Sequence, residues 1–172
     1  MRRLAFLLAF LAVPPAGAST ATRASLAELV RESQWIVLGT TGESTSYWQD
    51  GRILTRVSIA VEEVWVGELT DTTVDVVTLG GTIGEIGQRV DGALRFGTGQ
   101  RVVLCLQRHA GVLRVVEMAQ GAFILEEGAN PRVFRKGFGM RLVDNSMGPP
   151  TARFPESLRD LELAVREIKR AP

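Results

Sequence analysis

The chain has 172 residues, 20 basic against 19 acidic side chains, and one cysteine. That length allows one domain with a proper core. The balanced charge lacks the basic excess that phosphate-backbone binding uses, and a single cysteine excludes an intramolecular disulfide framework.

The N-terminus reads "MRRLAFLLAFLAVPPAGA". Arg2 and Arg3 precede an unbroken apolar run from Leu4 to Val13, then Pro14-Pro15 and a small-residue site at Ala16-Gly17-Ala18. This three-part order predicts a secretory signal peptide over residues 1–18, a secreted or periplasmic protein, and a single mature domain over residues 19–172 starting near Ser19. The run is shorter than the roughly 20 apolar residues a membrane helix needs, and no later run is longer, so no membrane span is expected. Loss of Arg2 and Arg3 leaves 18 basic residues against 19 acidic ones.

The predicted elements follow in order. Ser25 and Glu28 have capping-box spacing, and Leu26, Leu29 and Val30 share one helical face, which predicts a short N-terminal helix. "QWIVLGT" reads as a strand, with Gly39 marking a bulge or bend. In "YWQDGRILTRVSIAVEEVWVGE", Asp50-Gly51 is a hairpin turn signal. After it, Ile53, Thr55, Val57, Ile59 and Val61 alternate with their neighbours, and the phase slips at Glu62-Glu63, which predicts a β-bulge there. "TTVDVVTL", "QRVVLCLQR", "GVLRVVEMA" and "GAFILEE" read as further strands, and "PRVFRKGFGMRLV" as an irregular hairpin. "DNSMGPPTARFP" reads as a loop. The C-terminal helix, about residues 155–170, carries an apolar stripe of Leu158, Leu161, Val165 and Ile168, with Glu162 placed to pair with Arg166. The expected class is mainly β: a small OB-like β-barrel with a short N-terminal helix and a C-terminal helix.

The stretch "LGGTIGEIGQRVDG" raises the question of a phosphate-binding loop. A dinucleotide fingerprint needs G-x-G-x-x-G opening a helix, and a Walker loop needs Gly-Lys-Ser/Thr. Here the spacing is G-G-x-x-G-x-x-G, no helical stripe follows, and the only lysines are Lys136 and Lys169. The reading is a glycine-rich, mobile surface loop over residues 82–88 between strands. Ile83 and Ile86 within it either fold back on the barrel or form a contact patch, and Tyr47 and Trp48 at the hairpin tip are the other candidate partner contacts.

No catalytic set emerges. His109, the single histidine, sits beside a turn with no zinc-spaced partner, and no G-x-S-x-G elbow is present. Glu62-Glu63 and Glu126-Glu127 are adjacent, so each pair points to opposite faces of a strand. Cys105 lies inside "VVLCL" and is expected to be a buried, unreactive core residue. No catalytic residue, cofactor or metal site is assigned.

The succession "LVRESQWIVLGTTGES", "DGRILTRVSIAVEEVWVGE" and "VDVVTLGGTIGEIGQRVDGALRFGTGQRVVLCLQR" resembles a group of bacterial secreted proteins of unknown role, whose domain is similar to the netrin-like, or tissue-inhibitor-of-metalloproteinases-like, OB-fold. The resemblance covers about residues 28–125 and rests on apolar and glycine patterns. It implies the fold more than the function. The animal inhibitors place a cysteine at the mature N-terminus to engage a protease zinc. Here the expected start is Ser19 and the lone cysteine is Cys105, so that mechanism does not carry over. The functional expectation is a secreted or periplasmic, non-enzymatic module that recognises an extracytoplasmic protein. The alternatives are an oligosaccharide- or oligonucleotide-binding OB-type domain, or an accessory or inhibitor of a secreted hydrolase. Near-neutral charge and few aromatics (seven Phe, three Trp, one Tyr) count against nucleic acid.

Overall fold

A computed structural model of the chain describes residues 20–126, 128, 131–135, 141–143 and 154–171. The signal-peptide assignment to residues 1–18 and most of the 144–155 loop assignment lie outside the described residues.

Strand β1 (Thr20–Thr22) leads into helix α1 (Leu26–Glu32). The capping box forms as the spacing implies: the Ser25 hydroxyl accepts from the Glu28 N–H at 3.2 Å, and the Glu28 carboxylate accepts from the Ser25 N–H at 2.7 Å. Leu29 and Val30 are buried. Strands β2 (Trp35–Gln49) and β3 (Arg52–Val66) form a long hairpin. Its turn, Asp50-Gly51, has positive φ at both residues, 49° and 71°, as a type I′ turn demands. The pairing passes from Leu38↔Glu63 to Gly39↔Val61, so Glu62 is the bulged residue and Gly39 lies opposite the break. Further register shifts fall at Ile36/Val37 and across Gly42-Glu43.

Beyond the hairpin come β4 (Thr73–Leu79), β5 (Gly81–Ile83), β6 (Ile86–Gln88), β7 (Arg101–His109) and β8 (Val112–Val115). A 3₁₀ turn (Met118–Gly121) precedes β9 (Ala122–Leu125), and β10 (Val133–Phe134), β11 (Arg141–Val143) and helix α2 (Leu158–Arg170) complete the described elements. "GVLRVVEMA" is therefore a strand only over its first half. "PRVFRKGFGMRLV" is not a hairpin: β10 pairs with β9, and β11 pairs in parallel with β1. The partner of β11 lies near the other end of the chain, which local pattern does not record, whereas β10 pairs back with the strand just before it.

The protein is mainly β. The large sheet runs β10-β9-β7-β2-β3-β4-β8, and β7 also pairs with β8, so five strands close into a ring. Every pairing in the ring is antiparallel except its seam, where β4 and β8 meet in parallel through the single pair Val76↔Leu113. The apolar residues separate by strand parity into two clusters. Val37, Val57, Ile59, Val74, Val76, Val102, Leu104 and Leu106 fill the inside of the ring. Ile36, Leu38, Val103 and Cys105 face outward and pack with Leu29 and Val30 of α1 and Leu161 and Val165 of α2. A strand covered on both faces needs apolar residues at every position, which accounts for the unbroken runs "WIVL" and "VVLCL". In α2 the Ser157 hydroxyl caps the Asp160 N–H at 3.2 Å, and Glu162 pairs with Arg166 at 2.8 Å. Buried Gln120 ties the N-terminal segment down: its Oε1 accepts from the Ala24 N–H at 2.8 Å and its Nε2 donates to the Thr22 carbonyl at 2.9 Å.

Candidate functional site

The inward face of the ring changes chemistry toward one end. Along β3 the inward residues run Ile59, Val57, Thr55; along β4 they run Val74, Val76, Thr78, and the register pairs these rows one to one. On β2, Ser44 pairs with Val57 and Ser46 with Thr55. The aliphatic interior thus ends in a ring of hydroxyls. They line an open cleft of about 360 Å³, closed over by Gly80–Thr82 and by Leu94, Arg95 and Phe96.

The hydroxyl hydrogen bonds have a fixed direction. Thr55 Oγ1 donates its only proton to the Gly80 carbonyl at 2.7 Å, so in the 2.9 Å contact between Ser46 Oγ and Thr55 Oγ1 the serine is the donor. Ser46 Oγ in turn accepts from the Thr82 N–H at 3.3 Å. Arg95, at the rim, is exposed and makes no hydrogen bond or ion pair among the described residues; it is the one charged residue lining the cleft.

The glycine-rich stretch is not an irregular loop. It is a small hairpin of β5 and β6 around a Gly84-Glu85 turn, with Gly81↔Gln88, Thr82↔Gly87 and Ile83↔Ile86 as partners. It sits against the β2–β3 hairpin: the Gly80 N–H donates to the Ile53 carbonyl at 2.8 Å, and the Ile53 N–H donates to Gln88 Oε1 at 2.6 Å. Gly81 makes this seat possible, since a Cβ there would strike Ser46 Oγ and Thr55 Oγ1. No helix follows Leu79, so the backbone donors of a phosphate-binding helix start are missing at this point of the fold.

Register shows which of the four candidate contacts share a surface. Trp48 lies on the same face of β2 as Ser46, toward the small hairpin. Ile83 and Ile86 share the hairpin face that carries Gly81 and Gln88, toward β2 and β3. Trp48 is 52% exposed, Ile86 57% exposed, and Ile83 half-buried. Tyr47 is on the opposite face of β2, where the Arg56 guanidinium lies 5.4 Å from its ring centroid, so it does not join this group. The hydroxyl cleft was missed in the sequence. Its signal was there: Thr55 and Thr78 interrupt the apolar phase of their strands.

Cys105, Glu62 and Arg135 are held by their structural surroundings. Cys105 is 1% exposed, and burial pushes its thiol up to about 11, against smaller opposing effects of Ser33 and Arg135. The bulged Glu62 accepts two hydrogen bonds from Arg101, at 2.7 Å from Nη2 and 3.1 Å from Nε, and one from the Thr40 hydroxyl at 2.7 Å. The Arg101 bonds hold its carboxyl below the usual range. Arg135 stacks 4.0 Å from the Phe154 ring centroid, and burial lowers its guanidinium to about 10. His109 is exposed at the end of β7. Among the described residues no three His, Cys, Asp or Glu side chains converge on a point that could hold a metal ion. Comparison with protein-family models finds no match for the chain, and neither does comparison with curated proteins.

Proposed function

We propose that the chain is an extracytoplasmic, non-enzymatic binding module of the OB type, which recognises a protein partner at the end of its ring where the two hairpins meet. The barrel reading is supported by strand order. Counted along the chain, the first ring strand lies between the second and the fourth, and the third and fifth close the ring through one parallel pair. A partly open Greek-key barrel of the OB type would have this strand order, which is what supports the reading. Export is supported by the order of basic, apolar and small residues over 1–18.

The observation that carries the recognition reading is the exposure of Trp48 and Ile86 on the facing sides of two hairpins that are otherwise hydrogen-bonded together. Large apolar side chains left half in water are what a partner surface covers. The test replaces Trp48 and Ile86 with serine, then measures thermal melting and capture of proteins from envelope extracts. Unchanged melting with capture lost relative to the parent chain is the expected result. Capture equal to the parent's, or a large fall in stability, refutes the reading. N-terminal sequencing of the envelope or secreted form checks export, with a start near Ser19 expected and intact Met1 contradicting it.

A further inference from the structure

We infer that the hydroxyl-lined mouth of the ring is a binding site for an acidic saccharide, a sugar bearing a carboxylate. The inference stands on the cleft alone and does not depend on the hairpin contact. Its volume, about 360 Å³, falls within the range of roughly 300–1,000 Å³ found for small-molecule sites. Such sites are usually lined by apolar side chains, whereas Ser44, Ser46, Thr55 and Thr78 bring hydroxyls from three strands to this one.

The direction of the hydrogen bonds selects the ligand. The protons of Thr55 and Ser46 are spent within the protein, on the Gly80 carbonyl and on Thr55, and each oxygen accepts one bond, from Ser46 and from the Thr82 N–H, so each keeps one lone pair for a donor on the ligand. Lone pairs call for donors on the ligand, which hydroxyl groups supply and a bare anion does not. Thr78 Oγ1 reaches the Thr55 carbonyl only at 3.4 Å, a weak bond, and its proton is free to turn toward a ligand oxygen. At the rim Arg95 supplies donors and a positive charge, with no acidic residue lining the cleft to neutralise it. A planar guanidinium suits a carboxylate. Half-buried Phe96 adds an apolar surface for the C–H face of a sugar ring. Hydroxyl donors, a carboxylate and an apolar face together describe a uronic acid.

The experiment titrates the purified chain with glucuronate, galacturonate and mannuronate, and in parallel with glucose and inorganic phosphate, following amide shifts and heat of binding. Saturable binding of at least one uronate is expected, tighter than glucose, with shifts at Ser46, Thr82, Arg95 and Phe96. Arg95→Ala should weaken it about tenfold or more, because a charge-assisted hydrogen bond is lost. Thr55→Val keeps the shape and removes the acceptor, and should weaken it by a similar factor. Should Thr55→Val fold poorly, Ser44→Ala and Arg95→Ala, both at exposed positions, decide. No saturable uronate binding up to about 10 mM overturns the inference. So does uronate binding that survives both Arg95→Ala and the hydroxyl variant, and so does phosphate binding as tightly as the uronates.

Discussion

Replacing Gly81 by alanine tests whether the β5–β6 hairpin is seated as described, and Gly84 in the same hairpin supplies the control. Gly84 has φ of +59° at the exposed turn, and a Cβ there would meet nothing within 4 Å. Its replacement carries only the left-handed backbone penalty, about 1–2 kcal/mol. Gly81 has φ of +147°, and its Cβ would land on Ser46 Oγ and Thr55 Oγ1 and within 3.1 Å of Ile53 Cγ2. Backbone strain of about 1–3 kcal/mol then adds to overpacking of about 1–3 kcal/mol, so a loss near 4 kcal/mol is expected. Gly81→Ala should therefore fall about 2 kcal/mol or more below Gly84→Ala, which for a domain of this size lowers the melting temperature by a further 4–8 °C or so. Differential scanning calorimetry on the two variants makes the comparison. Amide exchange at Gly80 and Thr82, whose N–H groups donate to Ile53 and Ser46, reports lifting of the hairpin short of global unfolding. Equal melting of the two variants, with exchange at Gly80 and Thr82 unchanged, would refute the seating of the hairpin.

Cys105→Ser should destabilise by about 1–2 kcal/mol, since it buries a more polar hydroxyl in a largely apolar cluster; denaturant titration measures it. The native thiol, 1% exposed and with its ionisation pushed up to about 11, should resist alkylation at pH 8 on a timescale of hours, and labelling within minutes contradicts its burial. Glu62→Gln should cost less than about 1 kcal/mol at pH 7, because the pair with Arg101 is partly exposed. The folded carboxyl is held below its ordinary value of 4.5, so its contribution is present above that pH and disappears as pH falls through the lower folded value. Urea midpoints of parent and variant should accordingly draw together as pH falls below 4.5, and a difference that stays constant from neutral pH through the acid range refutes the assignment.

Residues close together in the chain determined several elements unaided. The capping box of Ser25 and Glu28, the Asp50-Gly51 turn, the phase slip at Glu62 and the stripe of Leu161 and Val165 all depend on neighbours a few positions away, and all appear where the pattern implies. Burial of Cys105 was legible for a similar reason: an unbroken apolar run admits few other environments. Tertiary structure alone decided the rest. The polar stretch from Gly42 to Ser46 has no strand signal of its own and is extended because β3 supplies hydrogen-bond partners across the hairpin. The glycine-rich segment became a hairpin because Gly80 and Gly81 let it lie against Ser46, Thr55 and Ile53. The candidate sites belong to the same class. Thr55 and Thr78 become neighbours only when β3 pairs with β4, and the face of β2 that carries Ser46 and Trp48 is turned to the small hairpin only when the two hairpins dock. Such contacts join residues tens of positions apart, and their pairing is set by closure of the ring, which leaves no periodic trace in the strands it brings together.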